Sequence, residues 1–234
     1  LVDDILKKEV FSQNIPFVFS SATLSQAGDF TYIAKTLGID DYLSFTVNSP
    51  FDYEKQMTIK AHIQESEEKK WQGIADELHE NNGSTLVLFS SKEEMQRFRE
   101  WSETVAWDFA LIYEGDQEIS QLIKAFQRDT TSVLLSYHLW EGLDIPGESL
   151  TQIIIASLPF PPKDPVFQAK RNHADKPYEE VDMPYMLLRL RQGIGRLIRS
   201  HSDNGVIHIW VSKEEKQATR REIDSVTPVS IQWM

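Results

Sequence analysis

The chain has 234 residues, 41% hydrophobic and 26% charged, which is the composition of a globular protein long enough to bury a sizeable core. It contains no cysteine, which excludes disulfide bonds and thiolate metal sites from this sequence, and we expect a cytoplasmic protein. A net charge of −12 argues against a nucleic-acid-binding surface that extends over the whole chain.

The N-terminal part predicts a strand at Phe17-Val18-Phe19, which runs into Ser20-Ser21-Ala22-Thr23-Leu24. Small hydroxyl residues at the end of a parallel strand are typical of a functional loop, and a plain turn with a Ser or Thr helix cap is an equally good interpretation. The chain begins at Leu1 without the features of a signal peptide. We therefore expect a piece of a longer protein.

Hydrophobic spacing predicts the elements of the rest of the chain. Apolar residues at helical spacing predict a helix over 27–37 that ends at Gly38. Further helices are predicted at 67–80, after Ser91 in a capping-box pattern with Glu94, at 117–126 and from about 185. Strands are predicted at 43–47, 57–63, 85–89, 109–113, 132–137, 151–156 and 205–211.

The alternation of apolar strands with helices predicts the fold class. Strands of this kind belong to a parallel sheet, so we expect an α/β protein with helices on both faces of the sheet. Ligands bind such sheets at the carboxyl ends of the strands. No apolar run approaches the ~20 residues of a membrane helix, so we expect no membrane partner.

The segment Gln192-Gly193-Ile194-Gly195-Arg196-Leu197-Ile198-Arg199 closes an apolar run that begins near Tyr185. Gln192, Arg196 and Arg199 are four and three residues apart, so a helix would place them on one face. Two guanidinium groups on one face suit the charge that develops on a phosphoryl group in transfer. An amphipathic surface helix with solvated arginines explains the segment equally well.

A second informative segment, from Ser136 to Gly147, follows a predicted strand and contains Glu141, Gly142 and Asp144. A glycine beside a carboxylate lets the backbone approach a nucleotide and offers an acceptor for a ribose hydroxyl. A structural turn capped by Asp144 is the simpler interpretation of this segment alone. We expect Trp140 to serve core packing rather than base stacking.

Taken together and in this order, these segments resemble the second RecA-like motor domain of superfamily two helicases, in the DinG branch of the XPD-like family. Four segments resemble motifs III, IV, V and VI of the family: residues 20–24, 86–91, 140–144 and 192–199. The loops at 49–52 and 158–162 are also similar to those of DinG-type proteins. The resemblance implies a RecA-like fold, in which residues 1–24 are the tail of the first motor domain and residues 25–234 form the second.

The resemblance also implies roles for particular residues. Arg196 and Arg199 would stabilise the charge on the γ-phosphate of ATP, and Gln192 would place the phosphate or the attacking water. Nucleotide would be bound by Glu141, Gly142 and Asp144. Single-stranded DNA would be contacted by Ser90, Ser91, Ser136 and His138. The nucleotide state would be coupled to the grip on DNA by Ser21, Ala22 and Thr23.

Two absences limit the activity expected of this chain. No glycine is followed by lysine, so the phosphate-binding loop G-x-x-x-x-G-K-[ST] is missing. Asp76-Glu77-Leu78-His79 spells a D-E-x-H box, but it lies inside a predicted helix and we interpret it as coincidence. We expect the full-length helicase to use ATP and Mg²⁺ with its first motor domain and to act on single-stranded DNA. We expect this chain alone to bind neither ATP nor Mg²⁺.

Two other classes of function stay open at this stage. One is a non-catalytic module of RecA-like fold that binds nucleic acid or protein through the same sheet edge. A small-molecule enzyme of doubly wound fold is the less favoured class, since paired carboxylates, a nucleophile elbow and G-x-G-x-x-G are missing. The six histidines show no metal-ligand spacing, so no metal site is predicted. Some bacterial family members carry an upstream nuclease domain, which this sequence does not test.

Overall fold

The computed structural model describes most of the chain, and it divides into two compact units, residues 1–50 and 51–234. The described residues are 2–13, 15–21, 24, 28–47, 49–141 and 149–234, without the side chains of residues 2 and 216–218. The predicted boundary at 24/25 falls inside the first unit and stays a prediction. No helix in these described ranges is long and apolar enough to cross a membrane.

The first unit contains two short α-helices, α1 (Val2–Ile5) and α2 (Thr31–Leu37), with a π-helical segment at Leu6–Phe11. Helix α2 ends at Gly38 as predicted, with φ of 71°, a left-handed conformation that glycine adopts without strain. Glycine is needed there for a second reason, because a Cβ atom on Gly38 would lie 2.4 Å from the carbonyl oxygen of Asp3.

The second unit contains all seven strands of the described chain and seven α-helices. The strands are β1 (Met57–Gln64), β2 (Thr85–Leu88), β3 (Leu111–Tyr113), β4 (Val133–Ser136), β5 (Gln152–Ile155), β6 (Gly205–Ser212) and β7 (Ile231–Trp233). The helices are α3 (Tyr53–Gln56), α4 (Glu67–Glu80), α5 (Lys92–Ser102), α6 (Ile119–Arg128), α7 (Pro165–Asn172), α8 (Met183–Ile194) and α9 (Glu215–Val226), and a π-helical segment at Tyr178–Asp182 leads into α8.

The strands form one parallel sheet in the order β3-β4-β2-β5-β6-β1-β7. Side chains alternate between the two faces of each strand, and each face carries its own buried cluster. Leu86, Ile153 and Ile207 belong to the cluster that packs with α8. Val87, Ile154 and Trp210 belong to the cluster that packs with α4 and α5. The predicted α/β fold with helices on both faces is therefore confirmed.

Two predicted strands are wrong, and both lie in the first unit. Residues 16–21 and 42–47 form no helix or strand. Among the described residues, neither segment has a partner strand, and Val18 and Leu43 are 91% and 103% exposed. A strand needs a neighbour for its backbone hydrogen bonds, so β propensity alone does not form one. Five elements, α1, α3, α7, α9 and β7, were not predicted, nor were the two π-helical segments.

Candidate functional site

The helix that carries the arginine segment ends earlier than the sequence predicts. Helix α8 ends at Ile194, and Gly195 is its C-cap. Gln192 is therefore in the last helical turn, whereas Arg196 and Arg199 lie beyond the helix. The prediction that the three side chains share one helical face is wrong.

Tertiary contacts explain this early end of α8. The carboxylate Oδ2 of Asp203 accepts hydrogen bonds from the backbone N–H groups of Arg199 and Ser200, each at 2.8 Å. These are two of the N–H groups that a longer helix would use. The consecutive residues Leu197 and Ile198 are both buried, at 2% and 3% exposure. A non-helical path lets both enter the core, and two glycines nearby weaken the helix.

Arg196 contacts the backbone of the second informative segment. Its Nε donates to the carbonyl oxygen of Trp140 at 3.3 Å, and its side chain is half-buried. Arg199 is also half-buried. The next residue after Trp140 is Glu141, which is exposed. The structure therefore joins the arginine segment to the segment predicted to bind nucleotide, although the two are 56 residues apart.

Trp140 is the packing centre of this contact. It is 1% exposed, and its indole Nε1 donates to the carbonyl oxygen of Phe89 at 3.1 Å. Gly193 of α8 packs against the ring so closely that a Cβ atom there would lie 3.1 Å from Cε3 of Trp140. The predicted packing role of Trp140 is thus seen in the structure, and the missing side chain at Gly193 makes room for it.

At the end of β2, a buried ion pair organises two of the predicted DNA-contacting serines. Glu94 and Lys70 are 4% and 3% exposed, and Lys70 Nζ lies 2.7 Å from Glu94 Oε1. Glu94 Oε2 accepts from Ser90 N at 3.0 Å and from Ser90 Oγ at 2.8 Å. Ser91 Oγ accepts from Glu94 N at 3.1 Å, so Ser91 is the N-cap of α5. Ser157 after β5 donates to Glu94 Oε1 at 2.5 Å.

The capping box is therefore only half of the standard arrangement, because the Glu94 carboxylate bonds to Ser90 rather than to Ser91 N–H. Burial raises the pKa of Glu94, but its ion pair and hydrogen bonds with Lys70 and the hydrogen bonds from Ser157 and Ser90 outweigh burial and lower it. The carboxylate is thus ionised at neutral pH.

Glu114, which follows β3, binds the other two predicted DNA contacts at the end of β4. Its Oε2 accepts from Ser136 Oγ at 2.5 Å and from His138 N at 3.1 Å, and its Oε1 lies 2.6 Å from His138 Nδ1. Ser136 is fully buried, whereas the His138 side chain is 70% exposed. A phosphate contact by Ser136 would require this turn to rearrange, and its role stays a prediction.

The structure thus gathers Ser90, Ser91, Ser136 and His138 at the ends of two neighbouring strands. There Ser90, Ser136 and His138 bond to carboxylates, and the Ser91 hydroxyl accepts from the backbone N–H of Glu94. Glu94 was not predicted as a buried partner of these side chains, and Glu114 was not predicted at all. The capping-box spacing pointed to Glu94, while a glutamate after a short strand gives no signal of its partners. Four predicted site residues lie outside the described residues: Ala22, Thr23, Gly142 and Asp144.

One further polar cluster has the side chains of a metal centre. Strand register and α4 bring His62, Glu77 and His208 together, with His62 Nε2 and His208 Nδ1 2.9 Å apart and Glu77 Oε1 3.0 Å and 2.9 Å from them. The imidazole planes differ by 8° and the ring centroids are 5.1 Å apart, so the two nitrogens face each other along one line. Two nitrogens on one tetrahedral zinc ion would converge on it at about 3.3 Å separation. The separation of 2.9 Å is that of a hydrogen bond between the two rings, and the same three groups lie close enough together to bind an ion.

Comparison with known proteins places this chain in a family. The profile of the "Helicase C-terminal domain" family matches residues 74–228. The chain is 52% identical over its whole length to "Probable ATP-dependent helicase YpvA" of Bacillus subtilis (strain 168) and spans 37% of that protein. It is 32% identical over 88% of its length to "3'-5' exonuclease DinG" of the same organism, of which it spans 24%.

A solved structure named "XPD_Helicase" has the same fold. It superposes with a TM-score of 0.67 and 18% identity over 99% of this chain and 45% of its own length. At that identity the likeness concerns the fold alone. The chain spans less than half the length of each of these proteins, so it matches one part of each.

Proposed function

The chain belongs to the helicase C-terminal domain family, in the DinG branch of the XPD-like helicases, and we propose that it is the second motor domain of an ATP-dependent helicase that translocates along single-stranded DNA. In this proposal it supplies arginine fingers and part of the DNA groove, and residues 1–24 are the tail of the first motor domain. The 91% exposure of Val18 supports that assignment, since an exposed apolar segment is typical of a surface that packs against a partner.

The observation that carries the proposal is the contact between Arg196 Nε and the Trp140 carbonyl oxygen. It ties one candidate arginine to the residue before Glu141, so both candidate nucleotide segments belong to one local structure. Guanidinium groups held in place on a rigid scaffold stabilise transition-state charge without reorganising during the reaction. Arg196 and Arg199 are proposed to meet the γ-phosphate in this way, and Gln192 to orient the phosphate or the attacking water.

The remaining nucleotide chemistry belongs to other parts of the full-length protein. ATP supplies the phosphoryl group, and Mg²⁺ needs an acidic ligand at the end of a strand. A strand-terminal D-E-x-H box and the phosphate-binding loop are both missing from this sequence. Glu141, Gly142 and Asp144 are proposed to line the nucleotide edge of this domain. Its own contribution is therefore to position positive charge and to close the site.

The DNA contacts are proposed for the ends of β2 and β4. His138 is exposed beside Tyr137, with ring centroids 4.1 Å apart, and Ser90 is exposed at the neighbouring strand end. Ser91 and Ser136 would support this surface, Ser136 from a buried position. Ser21, Ala22 and Thr23 are proposed to couple the nucleotide state to the grip on DNA.

The test is ATP turnover by the full-length protein with saturating single-stranded DNA. We expect Arg196→Ala and Arg199→Ala each to lower kcat by ~10³ or more, as the loss of an arginine finger does. Arg196→Lys would keep the charge without the planar fork and should recover little of the loss. Arg128→Ala is the matched control, because Arg128 is an exposed arginine at the end of α6. Near-normal turnover by both alanine variants would exclude the arginine role and favour a non-catalytic binding module.

A further inference from the structure

Glu114 belongs to none of the sequence motifs, yet it sits at a junction of the candidate site. It follows β3 directly, and its backbone N–H donates to the carbonyl oxygen of Leu135 at 2.9 Å. The hydrogen-bond ladder between β3 and β4 therefore continues one residue past Tyr113. The side chain of Glu114 is 11% exposed and reaches the turn that follows β4.

The carboxylate of Glu114 accepts hydrogen bonds from three consecutive residues of that turn. Besides the Ser136 hydroxyl and the backbone N–H and ring Nδ1 of His138, the backbone N–H of Tyr137 bonds to the carboxylate, donating to Oε2 at 3.0 Å. Burial raises the pKa of Glu114, but the hydrogen bonds from Ser136, His138 and Tyr137 outweigh burial and lower it. An ionised carboxylate with this many donors fixes a turn more firmly than neutral groups do.

The last residue of the same turn, Trp140, contacts Arg196. Ser136 Oγ also accepts from the backbone N–H of Leu139 at 2.9 Å, and the Trp140 indole bonds to Phe89. The Trp140 carbonyl oxygen then accepts from Arg196 Nε. Residues 136–140 thus form a hydrogen-bonded turn with Glu114 at its start and Arg196 at its end.

We propose that Glu114 is a positioning residue for ATP hydrolysis: by fixing the turn 136–140, it holds the Trp140 carbonyl where that group orients Arg196. This inference rests on the proposed arginine role. Glu114 itself touches neither nucleotide nor DNA in this account. It links the DNA-facing end of β4 to the arginine through backbone geometry.

The test uses the full-length protein and compares Glu114→Gln with Asp116→Asn. The glutamine keeps the size of the side chain but removes its charge and turns an NH₂ group toward groups that donate. We expect DNA-stimulated kcat to fall on the order of 10–100-fold, as displacement of a catalytic group by about 1 Å can cause, with KM for ATP within about twofold. Asp116 binds Arg99 at 2.7 Å, outside the turn, so Asp116→Asn should keep its kcat. An unchanged kcat in Glu114→Gln would overturn the proposal.

A double-mutant cycle separates this inference from the proposed function. If Glu114 acts through Arg196, then adding Glu114→Gln to Arg196→Ala causes no further loss of kcat, whereas additive losses would contradict the inference. Normal turnover by Arg196→Ala would instead sink the proposed function itself. Should circular dichroism show that Glu114→Gln is unfolded, Ser136→Ala removes one donor to the same carboxylate. Its kcat should fall in the same direction, and an unchanged value would count against Glu114.

Discussion

His62 lies in a buried polar cluster where its charge state is coupled to folding. Its Nε2 lies 2.9 Å from Nδ1 of His208 and 3.0 Å from Oε1 of Glu77, while the Trp210 indole N–H donates to the other carboxylate oxygen of Glu77 at 3.3 Å. Burial lowers the pKa of His62, with His208 and Lys60 acting in the same direction and Glu77 opposing them. The neutral imidazole is therefore the form that the fold favours.

The sign of the pH dependence follows from this lowered pKa. The unfolded chain takes up a proton on this histidine near pH ~6.5, before the folded chain does. The stability contributed by neutral His62 is thus complete above pH ~6.5 and is lost as pH falls through the folded value. We expect the urea midpoint of the chain to fall between about pH 7.5 and pH 5.5, and to fall less in His62→Gln. His173→Gln, at an exposed histidine, is the control. Equal slopes in all three proteins would contradict this coupling.

At the scale of single residues, the sequence could identify the types of group at the site but not their partners. Ser90, Ser136 and His138 were predicted as donors to phosphate, and in the structure their donors bond to Glu94 and Glu114. Glu94 and Ser90 are close in sequence, whereas Glu114 and Ser136 meet only because β3 and β4 are neighbours in the sheet. Contacts of that second kind depend on strand order, which a single sequence does not encode locally.

At the scale of elements, helix α8 packs closely against β2 and against the segment that carries Trp140. Its glycine at 193 lies against the buried Trp140 ring and also against Leu88, whose Cδ1 would be 3.2 Å from an added Cβ. Trp140 has little freedom to move, since its indole is bonded to Phe89. The position therefore controls how closely α8 approaches the turn that contacts Arg196.

The substitution Gly193→Ala tests this contact. Overpacking typically costs about 1–3 kcal/mol, and exchanging glycine for alanine inside a helix returns about 1 kcal/mol, so we expect a net loss of about 1 kcal/mol in the free energy of unfolding. Urea denaturation measures it. Gly195→Ala is the matched control, because Gly195 is exposed and has a helical φ of −66°. An added Cβ there would lie 3.3 Å from the carbonyl oxygen of Arg191 rather than against a buried ring, and its change should stay within about 0.5 kcal/mol. If Gly193→Ala raises the free energy of unfolding instead, the Trp140 ring is able to move aside.

Elements whose signals are local were predicted well. Helix α4 has the predicted bounds, with Trp71, Ile74 and Leu78 buried, and Ser66 caps it by accepting from Lys69 N–H. The end of α8 was missed because Asp203, nine residues past Ile194, competes for the backbone N–H groups. The competing partner is tertiary, so the periodicity of α8 carries no trace of it.

At the scale of the whole molecule, the second unit has a complete sheet and core, while the first has few buried residues. In the described part of the first unit, Ala34 is the one buried apolar side chain. Phe17 and Phe19 pack around Phe11 with ring centroids 5.1 Å and 6.1 Å away, yet both remain exposed. The apolar pattern of this unit predicted two strands that the structure does not show, because a strand forms only where a partner strand is present.

The last prediction concerns what this chain does alone. It carries candidate arginines on a folded sheet but neither the phosphate-binding loop nor a strand-terminal D-E-x-H, and the D-E-x-H letters at 76–79 lie within α4. Since arginine fingers act on a phosphate that other groups hold, they cannot supply turnover by themselves. We expect the isolated chain to show no ATP hydrolysis above background, with or without single-stranded DNA, in a phosphate-release assay. The full-length protein, assayed at the same molar concentration, should turn over and respond to DNA. Measurable turnover by the isolated chain that Arg196→Ala abolishes would mean that the missing parts are not essential.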